Sequence, residues 1–388
     1  MKYDAIIIGG GAAGLFYAAN AKINNGLILE ASEAPGRKLL MSGAGQCNLT
    51  HGGSIKDFIG HYGPNGKKVR SALYKVSNLK MQEFFESHGI PMTERDDGKI
   101  FPESMRASDV LKCLMHLASA NGWKLMTGCR AEGIKLLEDG FLVNGRHEAE
   151  KLIIACGGCS IPSTGSDGSI FPALEALGLE IVPLRPALVP LTVQDYPYSE
   201  LSGISFKNAL VTVDGHRNTD DVLLTHSNFS GPGILNLSRY AKPGSTLTIN
   251  YLGKEQQLEI PAAEKRIIQH WLTDSLWLPK RFVEAVLARA GVDPKTKANQ
   301  LPKKQRKAIE AILMRDTFSV SGTTGFKNAM VTSGGVALNE VDMKTFEAKK
   351  IRGLYIIGET LDVDGDTGGY NLQFAFSSAV CAAEAAGL

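Results

Sequence analysis

The sequence predicts an α/β protein whose parallel sheet is built from both chain ends, with a β-barrel plus helical domain inserted between them. Three observations carry this. Residues 4–30 read as strand, glycine turn, helix, strand and acid. Pro183, Pro186, Pro190 and Pro197 crowd one short span, after which short strands replace the α/β pattern. Residues 353–388 return to an apolar strand, a Gly-Glu end and an Ala-rich helix.

The first element is the run Ala5-Ile6-Ile7-Ile8. It is too short for a helix and lacks alternation, so it is a strand buried on both faces. Gly9, Gly11 and Gly14 follow in G-x-G-x-x-G spacing. Gly9 permits the tight turn, Gly11 lets the backbone approach a pyrophosphate, and Gly14 lets the next helix pack close to the sheet. That helix, over 12–21 and opened by Ala12 and Ala13, points its positive end at the phosphates. A strand over 27–29 ends in Glu30, 21 residues after Gly9, with Ala31 next. An acid there accepts hydrogen bonds from ribose hydroxyls and repels a 2′-phosphate. Together these features predict a dinucleotide site. The uncharged run 5–21 is shorter than the ~20 residues a bilayer span needs, and its glycines fall where a turn is wanted, which argues against a membrane segment. No export leader precedes the strand, so the cytoplasm is the expected location.

Length and composition set the frame. At 388 residues the chain holds two or three domains, and 44% apolar with 21% charged residues is the composition of a globular protein with a full-sized core. A formal net charge of +2 gives no reason to expect nucleic acid, so a small-molecule substrate is expected, without nucleic acid or membrane as partner. Cys47, Cys113, Cys129, Cys156, Cys159 and Cys381 are scattered and read as reduced thiols.

After Glu30 the stretch 31–53 is rich in Gly, Ser and Asn and forms a loop or a loop with a short helix. It leaves the carboxyl edge of the sheet, where ligands bind. Arg37 and Lys38 can meet a pyrophosphate there. Ser42, Gly43 and Asn48 can supply hydrogen bonds and close backbone approach. Helical spacing follows over 69–88, then an amphipathic helix over 108–122 capped by Ser108, with Val110, Leu111, Leu114, Met115 and Leu117 buried. A strand over 124–129 leads through Ala131 into a small β-meander at 134–137, 140–143 and 148–152. A further buried strand starts at Lys151 and ends in Cys156-Gly157-Gly158-Cys159. With no second Cys pair for zinc, a small-residue turn pressed against a cofactor outweighs a redox dithiol.

Short strands at 191–193, 209–213, 221–225, 245–251, 256–260 and 317–321 suggest a compact barrel or sandwich. Inside it a turn precedes a helix from Gly233, with His226, Ser227, Ser230 and Asn236 nearby. Residues 262–315 are helical and basic; the cluster Lys295, Lys297, Lys303, Lys304, Arg306 and Lys307 reads as a solvated helix surface. Asp362, Asp364 and Asp366 alternate in the manner of a calcium loop, but the closing Glu is absent, so no metal is expected.

The end of the chain decides the cofactor. A flavin dinucleotide is held by the N-terminal motif and a returning strand, Gly-apolar-Gly-acid, with the helix after it. Gly358 and Glu359 end such a strand at 354–357, and Gly369, Tyr370 and Asn371 open the helix, whose positive end stabilises charge on a reduced ring. The expected cofactor is therefore FAD. No second G-x-G-x-x-G follows a strand, so NAD(P)H enters as a candidate transient electron donor without a domain of its own.

Six stretches then resemble one family: GRKLLMSGAGQCNLT at 36–50, LIIACGGCSIPSTGSDG at 152–168, ALVPL at 187–191, LTHSNFSGPGIL at 224–235, VTSGGVAL at 331–338 and GLYIIGETLDVDGDTGGYNLQFAFSS at 353–378. They are similar to the HI0933-like (YhiN/BaiN) family of NAD(P)/FAD-dependent oxidoreductases, the aminoacetone oxidase-like flavoproteins. The resemblance covers essentially the whole chain. It implies non-covalent FAD, a Rossmann-like FAD-binding domain built from both chain ends, and an inserted barrel-plus-helical unit. Gln46 departs from the family, standing where an Arg is usual before Cys-Asn.

The expected division is 1–188 with 328–388 for FAD, 189–260 with 316–327 for the barrel, and 261–315 for the helices. Substrate is expected between the FAD domain and the barrel. The catalytic residue is unknown; His226 and Cys47 are the candidates for acid–base work. Two alternatives stay open: a flavin-binding regulatory protein without turnover, and an RNA-modifying flavoprotein.

Overall fold

The computed structural model describes residues 1–253 and 258–388. They fall into two compact units, Met1–Pro186 with Met330–Leu388, and Ala187–Ala329.

Unit 1 opens with β1 (Lys2–Ile8), α1 (Ala12–Asn20) and β2 (Gly26–Leu29). The chain continues through α2 (Arg37–Met41), β3 (Thr50–His51), α3 (Ile55–Phe58), α4 (Gly66–Lys75), α5 (Asn78–Ser87), β4 (Met92–Glu94), β5 (Lys99–Pro102) and α6 (Ala107–Ala120). It then forms β6 (Trp123–Met126), β7 (Ile134–Leu137), β8 (Gly140–Val143), β9 (His147–Ile154), α7 (Phe171–Ala176) and β10 (Ile181–Ala187).

The second unit comprises β11 (Leu191–Val193), β12 (Ser205–Val213), β13 (His216–Leu224), β14 (Phe229–Ser230), α8 (Pro232–Leu235), β15 (Thr246–Asn250), α9 (Ile268–Leu276), α10 (Lys280–Arg289), α11 (Lys303–Arg315) and β16 (Asp316–Thr323). Six strands close a barrel in the order β11-β14-β13-β12-β15-β16. Alternate residues such as Val211, Val213, Leu247, Ile249 and Val320 fill it. The strand expected over 256–260 lies partly outside the described residues, and 258–260 belong to none. The helix expected from Gly233 is a single turn, α8.

One buried network joins this barrel to its helices. Asp316, 2% exposed, opens β16 directly after α11. Its carboxylate accepts both guanidinium ends of Arg289 on α10, at 2.8 Å each, and the hydroxyls of Tyr198 and Tyr251.

The chain returns to unit 1 through β17 (Val331–Val336), which pairs with β10, then β18 (Leu354–Ile356) and α12 (Tyr370–Ala386). The main sheet runs β6-β2-β1-β9-β8-β7, with β18 also on β9. Sequence pattern suggests two strands around Lys151, but one strand serves both. The first residues of β9 lie antiparallel to β8, with His147 opposite Val143. Its last three pair in parallel with β18, with Ile154 opposite Ile356. Along its other edge β9 is parallel to β1, with Ile154 opposite Ile8, itself opposite Leu29 of β2. Four parallel strands therefore finish level, and the residues after them line one carboxyl edge.

Two helix expectations change. The helix over 69–88 is broken into α4 and α5. Gln373 Nε2 and Ser377 Oγ of α12 both donate to the Val76 carbonyl, at 2.8 and 2.9 Å, and Ser77 caps α5. Ser108 does not cap α6; it sits inside the first turn, after Arg106 at the N-cap. Met115 there is 37% exposed, while Ala107, Val110, Leu111, Leu114 and Ala118 are buried. Among the described residues no helix is long and apolar enough to cross a membrane.

His147 makes stability pH-dependent. It is buried, its Nε2 accepts from Arg146 Nε at 3.0 Å, and its Nδ1 has no hydrogen-bond partner. Burial first, then the charges of Arg146 and the N-terminus, hold its pKa below the usual 6.5. Below that pH the unfolded chain binds a proton that the folded chain resists. Its contribution is therefore complete above 6.5 and lost as pH falls through the folded-state value. Urea midpoints at about pH 7.5 and about pH 5.5 should differ less for His147→Phe than for the parent chain.

Candidate cofactor site and active site

The level carboxyl edge of β2, β1, β9 and β18 puts Glu30, the Gly9 turn, the 155–160 turn and Gly358-Glu359 side by side. The glycines of the first turn do different work. Gly9 has φ +111°, and a β-carbon there would lie 2.3 Å from the Ala155 carbonyl oxygen. A β-carbon at Gly14 would lie 2.0 Å from the Gly9 oxygen. At Gly11 it would meet nothing within 4 Å. The open space lies before the first turn of α1, which has no side-chain cap and no acidic residue. An uncapped positive helix end with free approach suits a pyrophosphate. Ala12 is half-buried and Ala13 buried in that turn.

Glu30 is 8% exposed and oriented by three donors. Gly10 N reaches Oε2 at 2.8 Å, and the backbone N and hydroxyl of Ser32 reach Oε1. Oε2, with a single donor, keeps a lone pair for a ribose hydroxyl. Ala31 is half-buried beside it, and Ala131 is buried just after Cys129, whose N donates to the Glu30 carbonyl.

The chain ends are tied here. Gly358, at φ +63°, approaches α1 so closely that a β-carbon would lie 2.9 Å from that of Ala13. Glu359 Oε2 pairs with Lys38 Nζ at 2.6 Å, and its Oε1 accepts from Ser160 Oγ at 2.9 Å and Thr332 N at 2.7 Å. The Lys38 ammonium also reaches Ser160 Oγ. Residues 321 positions apart thus form one charge-assisted pair. Gly157 and Gly158 complete the turn, where a β-carbon would collide with Ser166 Oγ and Thr332 Oγ1 respectively. Arg37 is exposed at the start of α2.

At the other end of the edge, Gly369 caps α12 at φ +98°, and α12 has no side-chain cap. With its amide oriented to suit its neighbours, Asn48 accepts from Gly369 N at 3.1 Å and donates to Thr50 and Ile100 carbonyls. Gly43 is exposed at φ +54°, and Ser42 Oγ donates to the Leu39 carbonyl. Asn371 is turned inward: Oδ1 accepts from Gly365 N, and Nδ2 donates to the Gly365 and Asp366 carbonyls. The Tyr370 ring lies between the near-parallel rings of His51 and His61, at centroid distances of 5.4 and 4.0 Å. His61 Nδ1 meets Asp366 Oδ2 at 3.1 Å. Burial, then Asp366 and Asp57, push the Tyr370 phenol above its ordinary value.

Ser160, Thr332 and His61 carry no sequence signal, and Asp366 stands out only in the spacing of a calcium loop. Their partners lie 27 to 305 positions away, and no local pattern marks those pairings. Of the acid–base candidates, Cys47 is fully buried and burial pushes its thiol up to about 12. His226 is exposed in unit 2. Cys156 is partly buried and donates to the Ile8 carbonyl; burial, then the Glu30 charge, push its thiol up to about 12. A thiol so rarely ionised is a poor redox nucleophile. Cys156→Ser is therefore expected to keep flavin content and turnover within about twofold, and turnover lost with flavin retained would restore the dithiol reading. Among the described residues no group of three or more His, Cys, Asp or Glu is placed to hold a metal.

Residues 3–385 match the family described as HI0933-like protein Rossmann domain. A ribosomal RNA dihydrouridine synthase of Escherichia coli is 34% identical, covering 99% of this chain and 98% of the relative. A 3-dehydro-bile acid delta(4,6)-reductase of Clostridium scindens is 32% identical, covering 98% of each. In fold, a 3-ketosteroid-delta4-(5alpha)-dehydrogenase of Rhodococcus jostii superposes with a TM-score of 0.52 at 15% identity, covering 98% of this chain and 97% of that one. A parallel nucleotide sheet closed by the returning C-terminus defines the class, an FAD-dependent oxidoreductase of Rossmann type. Within it, the chain belongs to the HI0933-like family.

Proposed function

We propose that this oxidoreductase reduces a carbon–carbon double bond conjugated to a carbonyl, and that its substrate is a uridine of ribosomal RNA. The supporting observation is that relatives spanning the chain end to end carry two names describing one bond change. Dihydrouridine is uridine with its C5=C6 bond, conjugated to the C4 carbonyl, saturated. The Δ4,6 bonds of a 3-dehydro bile acid are likewise conjugated to a carbonyl. In both, a hydride adds to a carbon that the carbonyl makes electrophilic through the conjugation, and a proton adds to the other carbon of the same double bond.

When bound, FAD supplies the hydride. The chain's residues do the holding. Glu30 takes the ribose, the open approach at Gly11 takes the phosphates, and the Lys38–Glu359 pair fixes the two chain ends against each other. The uncapped start of α12 favours negative charge on a reduced ring. NAD(P)H serves as donor, and a cytoplasmic location follows from the substrate.

Purified protein should be yellow, release FAD on denaturation, and bleach anaerobically with NADH or NADPH. Addition of unmodified ribosomal RNA transcripts should restore the colour and yield RNA heavier by two hydrogens at one uridine. Reoxidation by a 3-oxo-Δ4 steroid but not by RNA would retain the bond change and reject the RNA. A flavin that no donor reduces would favour a regulatory protein instead.

A further inference from the structure

The net charge of +2 averages over two unlike units. Residues 187–329 carry eighteen Lys and Arg against thirteen Asp and Glu, and residues 280–315 carry ten against three. Some of those ten are engaged locally. Arg289 is held by Asp316, Lys307 meets Glu310 at 2.9 Å, and Lys280 lies 4.0 Å from Glu284. Arg281 and Arg306 donate to the carbonyls of Glu200 and Asn299. Lys295, Lys297, Lys303 and Lys304 are exposed and have no ion pair among the described residues. They gather at one end of the helical segment. Gln305 Nε2 donates to the Gly291 carbonyl at 2.7 Å and Arg306 to that of Asn299 at 3.3 Å, which folds 291–300 onto the start of α11. Helix stability does not account for them. Lys303 and Lys304 open α11, at the end whose dipole disfavours cations, and no acidic residue offsets them in that turn.

A second observation comes from the turn between α9 and α10. Trp277 is 89% exposed, with φ +55°, a left-handed conformation unfavourable for a bulky side chain. Lys280 and Arg281 follow within four residues. Among the described residues of unit 2 it is the one large apolar side chain left exposed. A membrane or protein interface needs a broader apolar patch, whereas a single bare ring beside cations suits base stacking.

We infer that residues 262–315 form an RNA-docking surface, in which Lys295, Lys297, Lys303 and Lys304 contact phosphates and Trp277 stacks on an unpaired base. The inference rests on the RNA reading above and adds the place of contact. The test measures binding of the FAD-loaded protein to protein-free ribosomal RNA transcripts across a salt series. Replacing all four lysines by Gln should reduce the slope of log affinity against log salt by about three. Trp277→Ala should weaken binding about tenfold with the slope unchanged. Both variants should keep their flavin content and thermal midpoint; if the fourfold variant fails to fold, Trp277→Ala decides. Unaltered affinity and slope overturn the surface, as does tighter binding to phosphatidylserine vesicles or polyglutamate than to RNA. RNA binding lost in the variants, but no dihydrouridine formed by the parent, keeps the surface and rejects the uridine reading. Dihydrouridine formed equally by parent and variants rejects the surface alone.

Discussion

Gly11→Leu should give a folded protein that purifies without flavin. The backbone there, φ −88° and ψ −167°, is open to any L-residue, and a β-carbon meets nothing within 4 Å, so the apoprotein has room for the new side chain. That room lies before the first amides of α1. A leucine in it blocks at least two charge-assisted hydrogen bonds of about 1.5–3 kcal/mol each, so FAD affinity should fall at least about 100-fold. Gly14→Val provides the contrast. Its β-carbon would sit 2.0 Å from the Gly9 oxygen, so helix and strand must separate, at a cost of at least about 1–3 kcal/mol. Visible absorbance per protein and a circular-dichroism melt distinguish the two. Full flavin content in Gly11→Leu would falsify the assignment of this space to phosphate.

Asp316→Ala is expected to lower the stability of the second unit by about 3 kcal/mol, the lower part of the range for breaking a buried pair. The Arg289 guanidinium and the hydroxyls of Tyr198 and Tyr251 all lose their shared acceptor. The Arg289 side chain is 30% exposed, so water recovers part of the loss. Paired replacement of Asp316 and Arg289 by Leu and Met should cost less than Asp316→Ala alone, because no charge is then left unmatched. Urea unfolding followed by Trp fluorescence measures both, since Trp271 and Trp277 lie in this unit. Equal losses in the two variants would reduce the network to a space-filling role.

The sequence made the nucleotide half of the fold legible because its signals are local: strand, three glycines, helix and acid fall within 27 consecutive residues. The barrel strands were legible by alternation. What escaped depends on neighbours distant in sequence. β9 looked like two strands because its burial alternates beside β8 and becomes continuous beside β18. The break at Val76 comes from Gln373 and Ser377, nearly three hundred positions later. The Lys38–Glu359 pair spans 321 positions, and no local pattern marks it. The expectation of no nucleic acid rested on net charge, a sum that cancels the basic segment 280–315 against the rest.

The place of β18 also sets a timetable. The last three residues of β9 gain a partner on that edge only from residues 354–356, two hundred positions later. At the usual pace of translation, about 5–20 residues per second, that edge waits about 10–40 s on a nascent chain. Unit 2 is completed during the wait, so it can mature first, while the flavin sheet closes only after residues 354–356 emerge. A nascent chain arrested once residues up to 330–350 have cleared the ribosome should therefore carry a protease-resistant barrel beside an N-terminal half that is still cleaved.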